Sequence, residues 1–169
     1  MRWLILMMLV GCAAADKGED SGSSVGCPSV DLGTNAGQAT VNDQEWLSSS
    51  GQWIESGNKI QVVLNQTGPW GMTMVAITTA DGQPITEALD EEAVPFRVSF
   101  STDGNYGSVR EDLGNGANIY ATNEPGGGGD MTVDTFDGTT MTACFDFTAV
   151  TNGGDLIEVR SGSALVAGD

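Results

Sequence analysis

From about Gln38 onward the chain is written in short stretches of alternating apolar and polar residues separated by glycine turns, a period of two that only a half-buried β-strand satisfies. Pro95-Phe96-Arg97-Val98-Ser99-Phe100-Ser101 sets Phe96, Val98 and Phe100 on one face and Arg97 and Ser99 on the other. Met141 to Ala149 alternates again, with Met141, Ala143, Phe145, Phe147 and Ala149 directed inward. Cys144 then points away from the core. Further strands are expected at Lys59 to Leu64, Met72 to Thr79, Ala117 to Thr122, Asp130 to Phe136 and Leu156 to Arg160. No long stretch holds a helical period. Asp81-Gly82, Asp103-Gly104 and Asp137-Gly138 each fall between two such runs, and Asp-Gly supplies the positive φ angles of tight hairpins, so neighbouring strands are expected to be mostly antiparallel. The fold class expected is all-β: an antiparallel two-sheet β-sandwich, or a flattened barrel, of about seven to nine strands.

Charge narrows the function classes. The chain carries 23 Asp and Glu against 6 Lys and Arg, with no His, for a formal net charge of -17. Such a surface repels phosphate backbones, which excludes nucleic acid as a partner. Without His there is no Ser-His-Asp triad and no zincin-type metal site. Gly22-Ser23-Ser24-Val25-Gly26 matches the nucleophile-elbow pattern only by accident, because no strand precedes it and no base exists to serve it. Gly126 to Gly129 is a turn and not a phosphate cradle, since Asp130 and Asp134 follow and no helix does. No catalytic constellation is legible.

At the other end, Arg2 precedes an apolar run from Trp3 to Val10, long enough for the core of a signal peptide and far short of the roughly 20 residues that span a bilayer. The run ends in Leu9-Val10-Gly11-Cys12, which resembles the lipobox of bacterial lipoproteins. The resemblance implies cleavage before Cys12, acylation of its thiol and new amino group, and a mature protein held on a membrane by its acyl chains. Each buried methylene contributes about 0.8 kcal/mol, so two or three chains hold a soluble domain almost permanently. Ala13, where an Asp would signal inner-membrane retention in the enterobacterial rule, favours the outer membrane. The acidic cluster Asp16, Glu19 and Asp20 is similar to surface-export signals of some lipoproteins, or simply keeps a tether solvated. Residues 13–26 are mostly Ala, Gly, Ser and acid with a single larger aliphatic residue, Val25, a linker with a root-mean-square span of about 20 Å and a limit of about 50 Å. The expected layout is a signal peptide over 1–11, a lipidated Cys and tether over 12–37, and a β-sandwich domain over 38–169.

With Cys12 lipidated, Cys27 and Cys144 remain as an even pair in an oxidising compartment, and one disulfide is the default against two free thiols. The stretch from Asp130 to Ala149 with Glu158-Val159-Arg160-Ser161-Gly162 resembles the C-terminal signature of a family of small bacterial lipoproteins, in which a hairpin leads into a Gly-Thr-Phe-x-Phe-x-Ala strand. Ala143 and Cys144 replace the usual small pair, and Ser161-Gly162 replaces the terminal turn. The resemblance implies a β-sandwich and carries no reaction to transfer.

Three kinds of candidate site remain. A carboxylate pair for glycoside hydrolysis is conceivable at Asp155 with Glu158 or at Asp134 with Asp146, though nothing singles out a pair among so many acids. Calcium would suit the acidic loops at Asp103-Gly104-Asn105, Asp134 with Asp137, and Asp90-Glu91-Glu92, although none keeps the twelve-residue EF-hand spacing. Trp70 in Gly68-Pro69-Trp70-Gly71, with Trp46 and Trp53, offers flat indole faces for stacking on a glycan if exposed, and core packing if not. Asn65-Gln66-Thr67 matches a glycosylation acceptor without meaning in a bacterial lipoprotein. The reading is a lipid-anchored envelope protein with a non-catalytic binding or structural domain, whose partner is an envelope protein or a glycan; the alternatives are a carbohydrate-binding module and a carboxylate hydrolase.

Overall fold

Asn42 and Asp43 both adopt positive φ, the pair of left-handed residues that a two-residue hairpin matching the strand twist demands. They join β1 (Gly37–Val41) to β2 (Gln44–Ser48) in the computed structural model, which describes residues 26–29, 31–33, 36–90, 94–101 and 104–168. The chain continues through β3 (Gly51–Ser56), β4 (Lys59–Thr67), β5 (Trp70–Ala76), a one-turn helix α1 (Ile85–Asp90), β6 (Phe96–Phe100) and β7 (Tyr106–Asp112). It ends with β8 (Ala117–Ala121), β9 (Gly128–Phe136), β10 (Thr140–Val150) and β11 (Leu156–Gly168). The fold is all-β, as the alternation requires, with eleven strands where about seven to nine were expected.

All eleven are connected through backbone pairing, and the pairing divides them into two halves. One half runs β2-β1-β11-β10-β9-β6, antiparallel throughout. The other runs β3-β4-β5-β7-β8, also antiparallel throughout. They meet at two narrow corners. At one, β11 lies parallel to β3 through Ala167 opposite Gln52 and Gly168 opposite Trp53. At the other, β10 touches β8 through Val150 opposite Ala121. The result is a sandwich sealed along both sides into a flattened barrel, which leaves few free edges.

The interior follows from the period of two. Phe96, Val98 and Phe100 of β6, and Met141, Ala143, Phe145, Phe147 and Ala149 of β10, are all buried, while Arg97, Ser99 and Asp146 face out. Ile85, Ala88 and Leu89 of α1 close one end of the core. Aromatic rings fill it edge-on, with Phe100 and Phe147 centroids 5.7 Å apart at 85° and Trp53 and Phe136 5.1 Å apart at 80°. Where β10 meets β11, Phe145 stands opposite Gly162, and the ring occupies the space a Cβ at that glycine would need.

Three expectations are corrected. Asp137-Gly138 makes a true hairpin, its carboxylate accepting from Thr139 and Thr140, but β6 and β7, the strands before and after Asp103-Gly104 in sequence, belong to different halves. Asp81-Gly82 lies in a turn that leads into α1, closed by the bridge between Thr78 and Pro84, not between two paired strands. Ser161-Gly162 ends nothing: Ser161 takes a φ of 51° in a bulge, and β11 continues to Gly168.

Gly162→Ala is expected to cost about 1 to 3 kcal/mol in urea denaturation, because a methyl group must displace the Phe145 ring. The loss should shrink in a Phe145→Leu background. A Gly162→Ala protein as stable as the parent would contradict this packing.

Candidate functional site

The outer face of the six-stranded half carries most of the polar machinery. Along β10, Thr142, Cys144, Asp146 and Thr148 point outward, because their neighbours are committed to the core. Before β1, described residues 26–29 and 31–33 form a strap beside this face. Cys27 is joined to Cys144 with Cα atoms 5.6 Å apart, an ordinary disulfide separation. This is the pairing expected for an outward-facing Cys144. The Cys27 backbone N–H donates to Asp134 Oδ1 at 3.1 Å, and its sulfur lies 3.6 Å from the Thr132 carbonyl oxygen. Asp134 is available because β9 bulges there: Thr135 opposes Thr142 and Val133 opposes Ala143, leaving Asp134 as the extra residue.

Between strap and sheet lies a cleft of about 490 Å³, walled by Pro28 and Leu32 on one side and by Thr135, Thr142 and Leu165 on the other. The two threonine hydroxyls share a hydrogen bond of 2.6 Å, and Leu165 remains 45% exposed. A second depression of about 460 Å³ lies over Gly128, Gly129, Asp146 and Arg160. There Asp146 Oδ1 accepts the Ser161 N–H at 2.7 Å and so holds the bulge of β11. Arg97 pairs with Asp130 at 2.6 Å, a hydrogen bond and charge that hold its guanidinium still more firmly protonated, and Arg160 pairs with Glu158.

The candidate acids are therefore spoken for individually. Asp134 holds the strap, Asp146 holds a bulge, and Glu158 sits in an ion pair. Asp155 closes a turn whose N–H groups, its own and that of Gly153, donate to the Thr151 hydroxyl. Two backbone N–H donors hold the Asp137 carboxyl below the usual carboxylate range. Among the described residues no group of three His, Cys, Asp or Glu is gathered that could hold a metal ion. Of the calcium loops, Asp103, Glu91, Glu92 and the Asp90 side chain lie outside the described residues. Asn105 lies within them and is consumed: its Oδ1 accepts from Ile77 and Thr78, and its Nδ2 donates to the carbonyls of Thr78 and Ser99.

The indole rings are packed and not exposed, the second of the two alternatives the sequence left open. Trp46, Trp53 and Trp70 are 3%, 8% and 9% exposed. Two of them work as corner clamps. Trp46 Nε1 donates to the carbonyls of Thr67 and Trp70, tying β2 across to the turn between β4 and β5. Trp53 Nε1 donates to the Thr139 carbonyl at 2.9 Å, which also accepts the Gly168 N–H at 2.7 Å and so fastens the β11–β3 corner. Trp70 Nε1 is buried with no partner in the structure. A polar feature that the sequence did not flag lies at the far ends of β7 and β8, where the Tyr120 hydroxyl donates to Glu111 at 2.9 Å and Asn118 donates to the same oxygen. Burial, reinforced by that hydrogen bond and charge, pushes the Tyr120 hydroxyl above its ordinary pKa.

The lipobox residues Leu9, Val10, Gly11 and Cys12, and the tether up to residue 25, lie outside the described residues. No protein-family model, no curated protein and no solved structure matches the chain. The resemblances at residues 9–12 and 130–162 accordingly rest on those residues.

The disulfide closes a loop across a sequence separation of 117, for which chain entropy gives about 4 to 5 kcal/mol. The Cys27→Ser/Cys144→Ser variant is expected to keep its β circular dichroism and unfold roughly 10 to 20 °C lower. An unchanged midpoint would show that the bond contributes nothing to this domain.

Proposed function

We propose that the chain is a bacterial envelope lipoprotein, anchored through acyl chains on Cys12 and presenting a non-catalytic β-sandwich that binds or supports another envelope component. The observation that carries this reading is the order of its N-terminal parts: Leu9-Val10-Gly11-Cys12, an unstructured composition over residues 13–26, then Cys27. A soluble domain needs such an order to stand clear of lipid headgroups. The disulfide to Cys144 supports it physically, because the tether then delivers load to β10, in the middle of the six-stranded half, and not to β1 near its edge. Ala13 after the lipidated residue favours the outer membrane. The absence of His, and carboxylates tied one by one to backbone donors or arginine, support binding over catalysis. No indole among the described residues offers a stacking platform, so glycan recognition has no observation in its favour.

Detergent phase partitioning tests the anchor. The parent chain is expected in the detergent phase and Cys12→Ala in the aqueous phase, with the domain folded in both. Identical partitioning of the two would overturn the reading.

A further inference from the structure

The two outer faces of the sandwich differ sharply in charge. The six-stranded half carries Glu45, Asp130, Asp134, Asp146 and Glu158 on its outer face, against Arg97 and Arg160, which pair with Asp130 and Glu158. The five-stranded half is different. Register places Gln52, Val63, Thr73, Ser108 and Ala121 in one outward row across all five strands. On one side of that row lie Ile54, Gln61, Val75 and Tyr106, of which Val75 is already buried at 2% exposure, and on the other Gly71, Arg110 and Ile119. None of these is a carboxylate, in a chain with 23 of them; Asp112 stands only at the rim. All but Val75 are half-buried or exposed, and Ile119 is 54% exposed.

We propose that this face is where a second copy of the chain docks. Two molecules of net charge -17 repel one another in most orientations. Packed sheets lie about 10 Å apart, comparable to the screening length at physiological salt, so like carboxylates on facing sheets are felt directly. The five-stranded face is the broad face on which that penalty is absent, and its apolar residues give it something to bury. A symmetric contact is reciprocal: where one residue meets a second across it, the second meets the first. With the axis along the Gln52-to-Ala121 row, the flanking rows exchange, and Arg110 of each copy comes over Tyr106 of the other. A guanidinium over a phenol ring is an attractive pairing. Five strands about 4.8 Å apart give a patch of roughly 25 by 20 Å, at the low end for a specific interface, so the dimer is weak in free solution. Confinement of copies to one membrane would raise its occupancy. That last step rests on the anchor; the docking face does not.

Sedimentation velocity on the purified full chain, in non-ionic detergent and over a concentration series, tests this. The expected result is a concentration-dependent dimer that strengthens as salt rises, because screening relieves repulsion between the acidic remainders. Arg110→Glu and Ile119→Glu should each weaken it about tenfold or more. Arg160→Glu makes the same charge change on the opposite face and should leave it intact. Circular dichroism of each variant verifies the fold. A monomer at every concentration, or a dimer that responds to Arg160→Glu as it does to Arg110→Glu, overturns the proposal. Sedimentation reads the dimer whatever the outcome at Cys12, so the two readings fail independently.

Discussion

Strands β10 and β11 run antiparallel from Thr140 opposite Ala167 to Val150 opposite Leu156, and almost every other element is hung from this ladder. The other edge of β10 takes β9 and then β8, and the other edge of β11 takes β1 and then β3. Both corners of the sandwich are therefore extensions of the same two strands. The ladder can be this long because it is relieved in the middle: the Ser161 bulge adds twist, Asp146 satisfies its freed N–H, and Gly162 makes room for Phe145. The disulfide joins the same ladder from outside through Cys144.

Polar groups in the structure serve this architecture locally. Each tryptophan donor that is satisfied is satisfied by a backbone carbonyl at a seam, and Asn105 meets four backbone groups where the chain crosses between halves. An unpaired buried carbonyl or N–H costs about 1 to 3 kcal/mol, so side chains spent in this way stabilise the closure and are unavailable for chemistry.

The sequence was most legible where structure is local. The alternation of β6 and β10 stated both faces, because a buried sheet face fixes the period of two. The Asp137-Gly138 hairpin was legible for the same reason, its chemistry being contained in four residues. Strands β1, β2, β3 and β7 were missed because each turns only one or two apolar side chains inward, Ala39 and Val41, Trp46, Trp53, and Val109, too few to show the period of two. Asn42-Asp43 was the available signal for the first hairpin. The one-turn α1 is too short to show a period. Trp46, Trp53 and Trp70 looked exposed in their polar, glycine-rich surroundings; their partners, Thr67, Thr139 and the opposing half, are distant in sequence. Asp103-Gly104 reads like a hairpin, yet β6 and β7 join different halves, since turn chemistry does not say which sheet the next strand joins.

Native-state hydrogen exchange followed residue by residue tests most directly whether the β10–β11 ladder is the central support. The account predicts that amides of β10 and β11, from about Ala143 to Val166, exchange last and only through global unfolding. Those of β2 and β6, at the ends of the six-stranded half, should open earlier and independently. If β2 or β6 outlasted β10 and β11, or if the ladder opened while the five-stranded half stayed protected, the ladder would not be what holds the sandwich closed.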